Sequence, residues 1–351
     1  MKKIFYSILI FLLILLNFST VCADDVDNEV DFEDTIEVTA SNVSELPKTN
    51  SRRYIVYDRI SKSMIIGKNE DVKSAMASTT KIMTTIVILE KADLNEKVTV
   101  SAKAGGTGGS RLGLKRGDKT SVRDLLYGLM LRSGNDAAVA LAEHVGGSVK
   151  GFAELMNEKA IELGLTNTHF VTPHGLDDAN HYTTALELAK LTDYAMDNET
   201  FAKIVGTKST TIYINNQSRQ INNTNELLGV LNGVVGVKTG FTNNAGRCLV
   251  TETKRNNMDI ITIVLGADTK KDRTKDSVNL IEYTFSKYKM YNLEERIIEE
   301  FNKWKNINEK RILITKGKQN NPKLALGAIE KATIPICDND KIEYSINALT
   351  E

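Results

Sequence analysis

Ser78-Thr79-Thr80-Lys81 lies between a strand-like run, Arg53 to Gly67, and an apolar run with helical spacing, Ile82 to Leu89. A helix starting near Ser78 puts Lys81 on the same face three residues on, so hydroxyl and amine can meet. A nucleophile with a base beside it is what acyl-transfer chemistry requires. The spacing alone decides nothing, because Ser286-Lys287-Tyr288-Lys289 repeats it on what reads as a solvated helix face. The rest of the chain has to discriminate between the two.

Before that stretch, Lys2 and Lys3 precede an apolar run from Ile4 to Leu16, and Val21-Cys22-Ala23 offers small-residue cleavage chemistry. Residues 1–23 therefore read as a secretory signal peptide, the apolar run being shorter than the roughly 20 residues of a membrane span. A lipid anchor on Cys22 is the rival, disfavoured by the bulk of Val21. Residues 24–48 are acidic and mostly without periodicity, and read as a disordered leader. The sequence thus expects an exported protein, working in the cell wall or at the outer face of the cytoplasmic membrane.

The chain has 351 residues, 41% hydrophobic and 26% charged, with 45 Lys and Arg against 45 Asp and Glu. That is room for one large domain and a smaller one. No Lys/Arg run is interleaved with aromatics, which argues against nucleic acid as a partner. Without a CxxC or a dense Cys/His cluster, no metal site and no cofactor are expected. His144, His169, His174 and His181 read as packing or surface histidines, and Cys248 and Cys337 as unpaired, mostly buried thiols, with a disulfide between them the alternative.

Two short strands, Arg53–Asp58 and Ser63–Ile66, open the main domain. Helical spacing returns at Ser121–Met130 (Ser121 and Asp124 in capping-box spacing), Asp136–Val145, Gly151–Leu163 and Thr183–Asp197. Lys97–Val100 is strand-like, Gly105–Ser110 reads as a flexible rim loop, and Thr168–Asp178 as a loop. Ser133-Gly134-Asn135 is a tight polar connection between two apolar helices. Three strands follow, Val234–Gly240, Arg247–Thr253 and Asp259–Leu265, the last two joined by Arg255-Asn256-Asn257. A closing helix is expected over Asp276–Tyr291. The fold class is α+β: a five-stranded antiparallel sheet with a helical cluster inserted between its two parts, over residues 49–291. Residues 292–351 read as a small β-rich domain with strands at Arg311–Thr315, Ala332–Ile336 and Lys341–Ser345.

Ser78-Thr79-Thr80-Lys81, Ser133-Gly134-Asn135 and Lys238-Thr239-Gly240 follow one another on a helix start, an inter-helix turn and a strand. Their chemistry coheres. Helix-start N–H groups at Ser78 face developing negative charge. Lys81 serves as a base only when neutral, which a buried, cation-rich pocket containing Lys238 favours. Ser133 suits proton transfer to a leaving amine, Asn135 suits holding a substrate amide, and Gly240 lets a substrate lie along the strand edge.

S-x-x-K, S-D-N and K-T-G form a set in penicillin-binding proteins and class A β-lactamases, and the middle motif here has Gly134 in place of the Asp. Ala77–Thr84, Leu131–Ala138 and Val237–Thr242 resemble, more narrowly, the serine-type D-alanyl-D-alanine carboxypeptidases, the low-molecular-mass penicillin-binding proteins. Leu163–Phe170 and His174-Gly175-Leu176-Asp177 are similar to the same family. The resemblance implies a β-lactamase/transpeptidase-like domain and acylation of Ser78 by the penultimate D-Ala of a peptidoglycan stem peptide. It implies an oxyanion site at the N–H groups of Ser78 and Phe241, and a carboxylate site at Lys238 and Thr239 assisted by Arg273, placed just before the closing helix. It also implies inhibition by β-lactams. The family's β domain usually continues into an amphipathic membrane helix; here the segment looks cut short and no such helix is visible, so no anchor is assigned. Two rivals remain. A class A β-lactamase needs a water-activating Glu, and Thr166–Asp178 contains none. A penicillin sensor or wall-binding module would acylate without turnover.

Overall fold

Tyr54, Ile55, Val56 and Tyr57 are β-branched and aromatic residues that fit a pleated, buried surface, and they form β1 (Arg53–Asp58). The computed structural model describes residues 45–289 and the strands 332–337 and 340–344. β2 (Ser63–Lys68) pairs antiparallel with β1 on one side, and β9 (Met258–Ala267) on the other. With β7 (Val234–Thr242) and β8 (Gly246–Arg255) they make a five-stranded sheet in the order β2-β1-β9-β8-β7. The expected sheet is therefore present, with the strand bearing Lys238-Thr239-Gly240 at its edge.

Both sheet faces are covered. Ile55, Tyr57, Ile261, Ile263, Leu265 and Val250 point into the main core, while Leu249 and Val234 pack with Val278 on the opposite face. β9 is accordingly a near-continuous apolar run, as a strand buried on both faces must be. The main core is filled by α1 (Lys81–Lys91), whose first eight residues are all buried. Around it lie α3 (Val122–Leu131), α4 (Asn135–Gly146), α5 (Val149–Glu162), α6 (Ala185–Met196) and α7 (Glu199–Val205); a single-turn α2 spans Ala102–Gly105. Ser121 caps α3 as its spacing predicts, accepting from Asp124 N–H at 3.0 Å and donating to the Asp124 carboxylate at 2.7 Å.

Three features depart from the expectations. First, α8 runs over Lys270–Lys287, so it starts six residues before Asp276 and contains Arg273. Thr269 sets that start: its hydroxyl accepts from Asp272 N–H at 3.0 Å and donates to the Asp272 carboxylate at 2.7 Å. Second, residues 209–222 form a hairpin of β5 (Ser209–Ile214) and β6 (Gln217–Asn222), which completes a second sheet with β3 (Lys97–Thr99) and β4 (Lys119–Ser121) in the order β3-β4-β5-β6. Third, the glycine-rich segment at 105–110 is tied down rather than a flexible rim. Asn135 donates to Gly108 O at 2.9 Å, and its own N–H donates to Ser110 O at 2.8 Å.

A division of the chain into two units falls at Tyr283, within α8. In the second unit β10 (Ala332–Cys337) and β11 (Asp340–Tyr344) pair antiparallel. The expected signal peptide, nearly all of the acidic leader, and the Arg311–Thr315 strand lie outside the described residues.

Asp136 holds the glycine-rich segment's continuation. Its buried carboxylate accepts from the N–H groups of Leu112, Gly113 and Leu114 at 2.8 to 2.9 Å, and from Ala137 N–H. Asp136→Ala would leave those donors without an acceptor, so it is expected to cost about 3 kcal/mol. Urea denaturation against the parent measures it, and a loss below 1 kcal/mol contradicts this account.

Candidate active site

The sequence Met76–Thr80 does not run straight into the helix. Ala77–Thr80 is a 3-10 turn that delivers Ser78 and Lys81 to one side, and Ala77 adopts a left-handed φ of 48°. Such a conformation costs an L-residue about 1–3 kcal/mol and persists only where the surroundings over-determine it. They do so here. Val171 N–H donates to His181 Nδ1 at 2.9 Å, which leaves the proton on Nε2. Nε2 then donates to Thr80 Oγ1 at 2.8 Å, and Thr80 Oγ1 donates to Ala77 O at 2.8 Å. Gly175, at a φ of +89°, closes on the same carbonyl: a Cβ there would lie 1.9 Å from Ala77 O.

Lys81 is the centre of the site. Its Nζ, wholly buried, lies 2.6 Å from Ser78 Oγ, 2.8 Å from Asn135 Oδ1 and 2.9 Å from His174 O. Nζ donates to all three; once it gives up a proton, it would keep two hydrogens for the carbonyl oxygens and turn a lone pair to the Ser78 hydroxyl. Burial, with the Lys81 charge second, pushes His174 down to about 3, and burial pushes His181 down to about 4. Both rings are neutral at physiological pH.

Ser133 and Asn135 come from the α3–α4 connection, where Ser133 takes a left-handed φ of 57°. Lys238, buried on β7, donates to Ser133 Oγ at 3.1 Å and to Thr239 O at 2.8 Å. Gly240 lies directly on the nucleophile turn, since a Cβ there would be 3.0 Å from Ser78 N. Phe241 follows, half-buried, with the Arg247 guanidinium 3.8 Å above its ring. The structure thus brings Ser78, Lys81, Ser133, Asn135, Lys238, Thr239, Gly240 and Phe241 into one bonded or abutting set.

Arg273 is placed differently. It is fully buried and paired with the Glu226 carboxylate, which also accepts from Thr274 Oγ1 at 2.6 Å. Burial alone would raise Glu226, but the Arg273 charge overrides it and holds the carboxyl below its ordinary range. The link to the site runs through Thr224, whose Oγ1 is 2.9 Å from Thr239 Oγ1. Ser286, with the same lysine spacing as Ser78, is exposed and donates to Tyr283 O.

Sequence reasoning assigned no role to Thr80, His181, Asp136, Glu226 or Asp177. Asp177 accepts from Thr242 Oγ1 at 2.6 Å and from Asn244 N–H at 3.2 Å, clipping the 172–178 loop to the end of β7. A Gly flanked by His174 and Asp177 was the available signal. Glu226 had none.

This sheet with its helical cluster and three motifs is the penicillin-binding and β-lactamase-like fold. The D-alanyl-D-alanine carboxypeptidase family model matches residues 39–269, and the chain belongs to that family. The chain is 35% identical over 271 residues to D-alanyl-D-alanine carboxypeptidase DacF of Bacillus subtilis, covering 76% of this chain and 67% of the relative. It is 38% identical over 237 residues to the D-alanyl-D-alanine carboxypeptidase of Streptomyces sp., covering 62% and 81%. Among solved structures, the Streptomyces K15 DD-transpeptidase matches with a TM-score of 0.65 at 34% identity, over 69% of this chain and 99% of that one. DacD from Francisella tularensis matches with a TM-score of 0.64 at 31% identity, over 69% and 72%. The β-lactamase and sensor readings are not favoured by these relatives.

Two outcomes follow from the neutral histidines and the close glycine. An unfolded histidine titrates near 6.5, whereas His181 and His174 stay neutral in the fold until about 4 and 3. Between those values the unfolded chain takes up protons that the folded chain refuses, so stability falls as pH drops from about 6.5 and levels off below the folded values. Thermal melts from pH 7 to 4.5 are expected to show this fall, and His181→Gln to make it shallower; an unchanged slope in that variant contradicts the assignment. Gly175→Ala is expected to displace the Ala77 carbonyl and cut acylation of Ser78 at least about a hundredfold, read as the rate of labelling by a fluorescent penicillin.

Proposed function

We propose that the protein is a serine D-Ala-D-Ala carboxypeptidase that removes the terminal D-Ala from peptidoglycan stem pentapeptides through an acyl-enzyme on Ser78, with β-lactams as inhibitors. The observation that carries the reading is the 2.6 Å contact between buried Lys81 Nζ and Ser78 Oγ. Lys81 takes the Ser78 proton as Oγ attacks the penultimate D-Ala carbonyl. The oxyanion forms between the N–H groups of Ser78 and Phe241, on the two segments that Gly240 allows to approach. The C–N bond then breaks, and Ser133, bonded to Lys238, passes a proton to the leaving D-Ala amine. Asn135 holds the substrate amide, and Lys238 and Thr239 receive the terminal carboxylate. Water hydrolyses the ester and restores Ser78. In this reading no metal or cofactor takes part, and the enzyme is exported by its N-terminal segment to act on the wall side of the membrane.

The assay offers the purified protein an acylated D-Ala-D-Ala peptide and a fluorescent penicillin, beside Ser78→Ala. D-Ala release and a long-lived penicillin adduct are expected, both lost in the variant. Rapid penicillin turnover would favour a β-lactamase, labelling without D-Ala release a sensor, and release undiminished in Ser78→Ala would remove the mechanism.

A further inference from the structure

The group best suited to bind a substrate carboxylate already holds one. Arg273 is an arginine with no solvent exposure, and the carboxylate it meets belongs to Glu226, itself only 8% exposed at the side chain. Glu226 stands two residues after Thr224, a span of at most about 7 Å, and Thr224 Oγ1 is bonded to Thr239 Oγ1. The segment 224–226 therefore joins the Glu226–Arg273 pair to Thr239, one of the residues assigned to the terminal carboxylate. Lys238, the other, is turned towards Ser133 and the Thr239 carbonyl. Lys238 and Arg273 are formally positive, beside Lys81 on Ser78 and Arg247 on Phe241, and Glu226 offsets the charge of Arg273.

We propose that Glu226 is a specificity-determining residue: it offsets the Arg273 charge near the leaving-group subsite, so that the enzyme also releases leaving groups without a free α-carboxylate, such as D-alaninamide or the amine of a longer peptide. This rests on the carboxypeptidase reading of the same site. The chemistry is unchanged. The Ser78 Oγ–C bond forms, the amide C–N bond breaks, the leaving amine takes its proton from Ser133, and water completes hydrolysis. What changes is the penalty for presenting a neutral group where a carboxylate is usually bound. A buried unit charge several ångströms from a carboxylate, in a partly desolvated site, changes its binding by about tenfold or more. Offsetting the Arg273 charge removes part of the discrimination. Glu226 acts through the field and not by contact, because its Oε1 is taken by Arg273 and Thr274 and its Oε2 is buried.

A four-member charge ladder tests it, measuring kcat/KM for an acylated D-Ala-D-Ala peptide with a free carboxylate and for the same peptide as its C-terminal amide. The ratio of the two is the readout, because a fold-wide loss lowers both substrates together and leaves the ratio unmoved. Glu226→Gln is expected to raise the preference for the free carboxylate about tenfold or more over the parent, and Arg273→Gln to lower it. The double variant, with the parent's formal charge restored, is expected to return within about threefold of the parent ratio. A ratio that is flat across the series overturns the proposal. So does a double variant as unselective as Arg273→Gln, since Arg273 would then be a direct receptor and Glu226 only its support. If Glu226→Gln does not fold, judged by penicillin labelling of Ser78, the comparison of the parent, Arg273→Gln and the double variant still decides. Failure of the underlying reading looks different: the parent releases no D-Ala from the free-carboxylate peptide, or Ser78→Ala releases it undiminished.

Discussion

A lysine with no solvent exposure has to find its partners inside the protein, and Lys81 finds three, on three separate segments. Leaving such a group unmatched costs on the order of several kcal/mol. The 3-10 turn bearing Ser78, the α3–α4 connection bearing Asn135 and the loop bearing His174 are thereby held to one geometry. None can shift by an ångström without breaking a bond to a buried nitrogen. The same atom that would take the nucleophile's proton is therefore the atom that fixes where the nucleophile stands.

Around that nitrogen the backbone is strained in two places, Ala77 and Ser133, and each strain has an identifiable counterweight. At Ala77 it is the relay from Val171 N–H through His181 and Thr80, together with the glycine at 175 that lets the loop close on the Ala77 carbonyl. At Ser133 it is the neighbouring Asn135 and Asp136, which between them bind the 108–114 segment through five backbone groups or more. Burial keeps the histidine relay neutral, so its hydrogen-bond directions do not reverse within the ordinary pH range. A charged ring would have to donate at Nδ1 and would lose Val171.

How much of this the sequence disclosed depends on which interactions are local. The five strands of the main sheet and the helices α1 and α3 to α6 were legible because their buried faces repeat at strand or helix periods. The α8 start was misread by six residues because Lys270, Lys271, Asp272 and Lys275 mask the periodicity, although Thr269 and Asp272 carry a capping pair. The β5–β6 hairpin went unread because only Ile212, Ile214 and Ile221 of its strands are buried, yet Asn215-Asn216, with φ of 52° and 61°, is the two-residue turn such a hairpin favours. Ser78, Lys81, Ser133, Asn135, Lys238, Thr239 and Gly240 were legible as motifs because each sits at a fixed spacing from its neighbours, while Phe241 entered only through the family resemblance. Glu226 was not, because its partner is 47 residues away and no spacing rule connects a carboxylate on a loop to a guanidinium on a helix.

The placement of β7 ties fold to site. Among the described residues β7 pairs within its sheet on one side only, with β8, so its other edge presents backbone groups that a sheet would normally cover. An uncovered edge is a liability for aggregation in a long, flat strand; here one face of the strand packs on the nucleophile turn, where a Cβ at 240 would meet Ser78 N and Thr79 N at 3.0 and 3.2 Å, tighter than most Cβ contacts. An extended peptide added to such an edge has its backbone registered by hydrogen bonds before any side chain is read. In the proposed reading its scissile carbonyl would be set against the Ser78 turn by the register of β7, which the pairs Lys238↔Val250 and Gly240↔Cys248 fix from the far side. In that reading, recognition of the main chain and alignment of the reacting atoms become one constraint, set by the backbone of β7 and not by side chains.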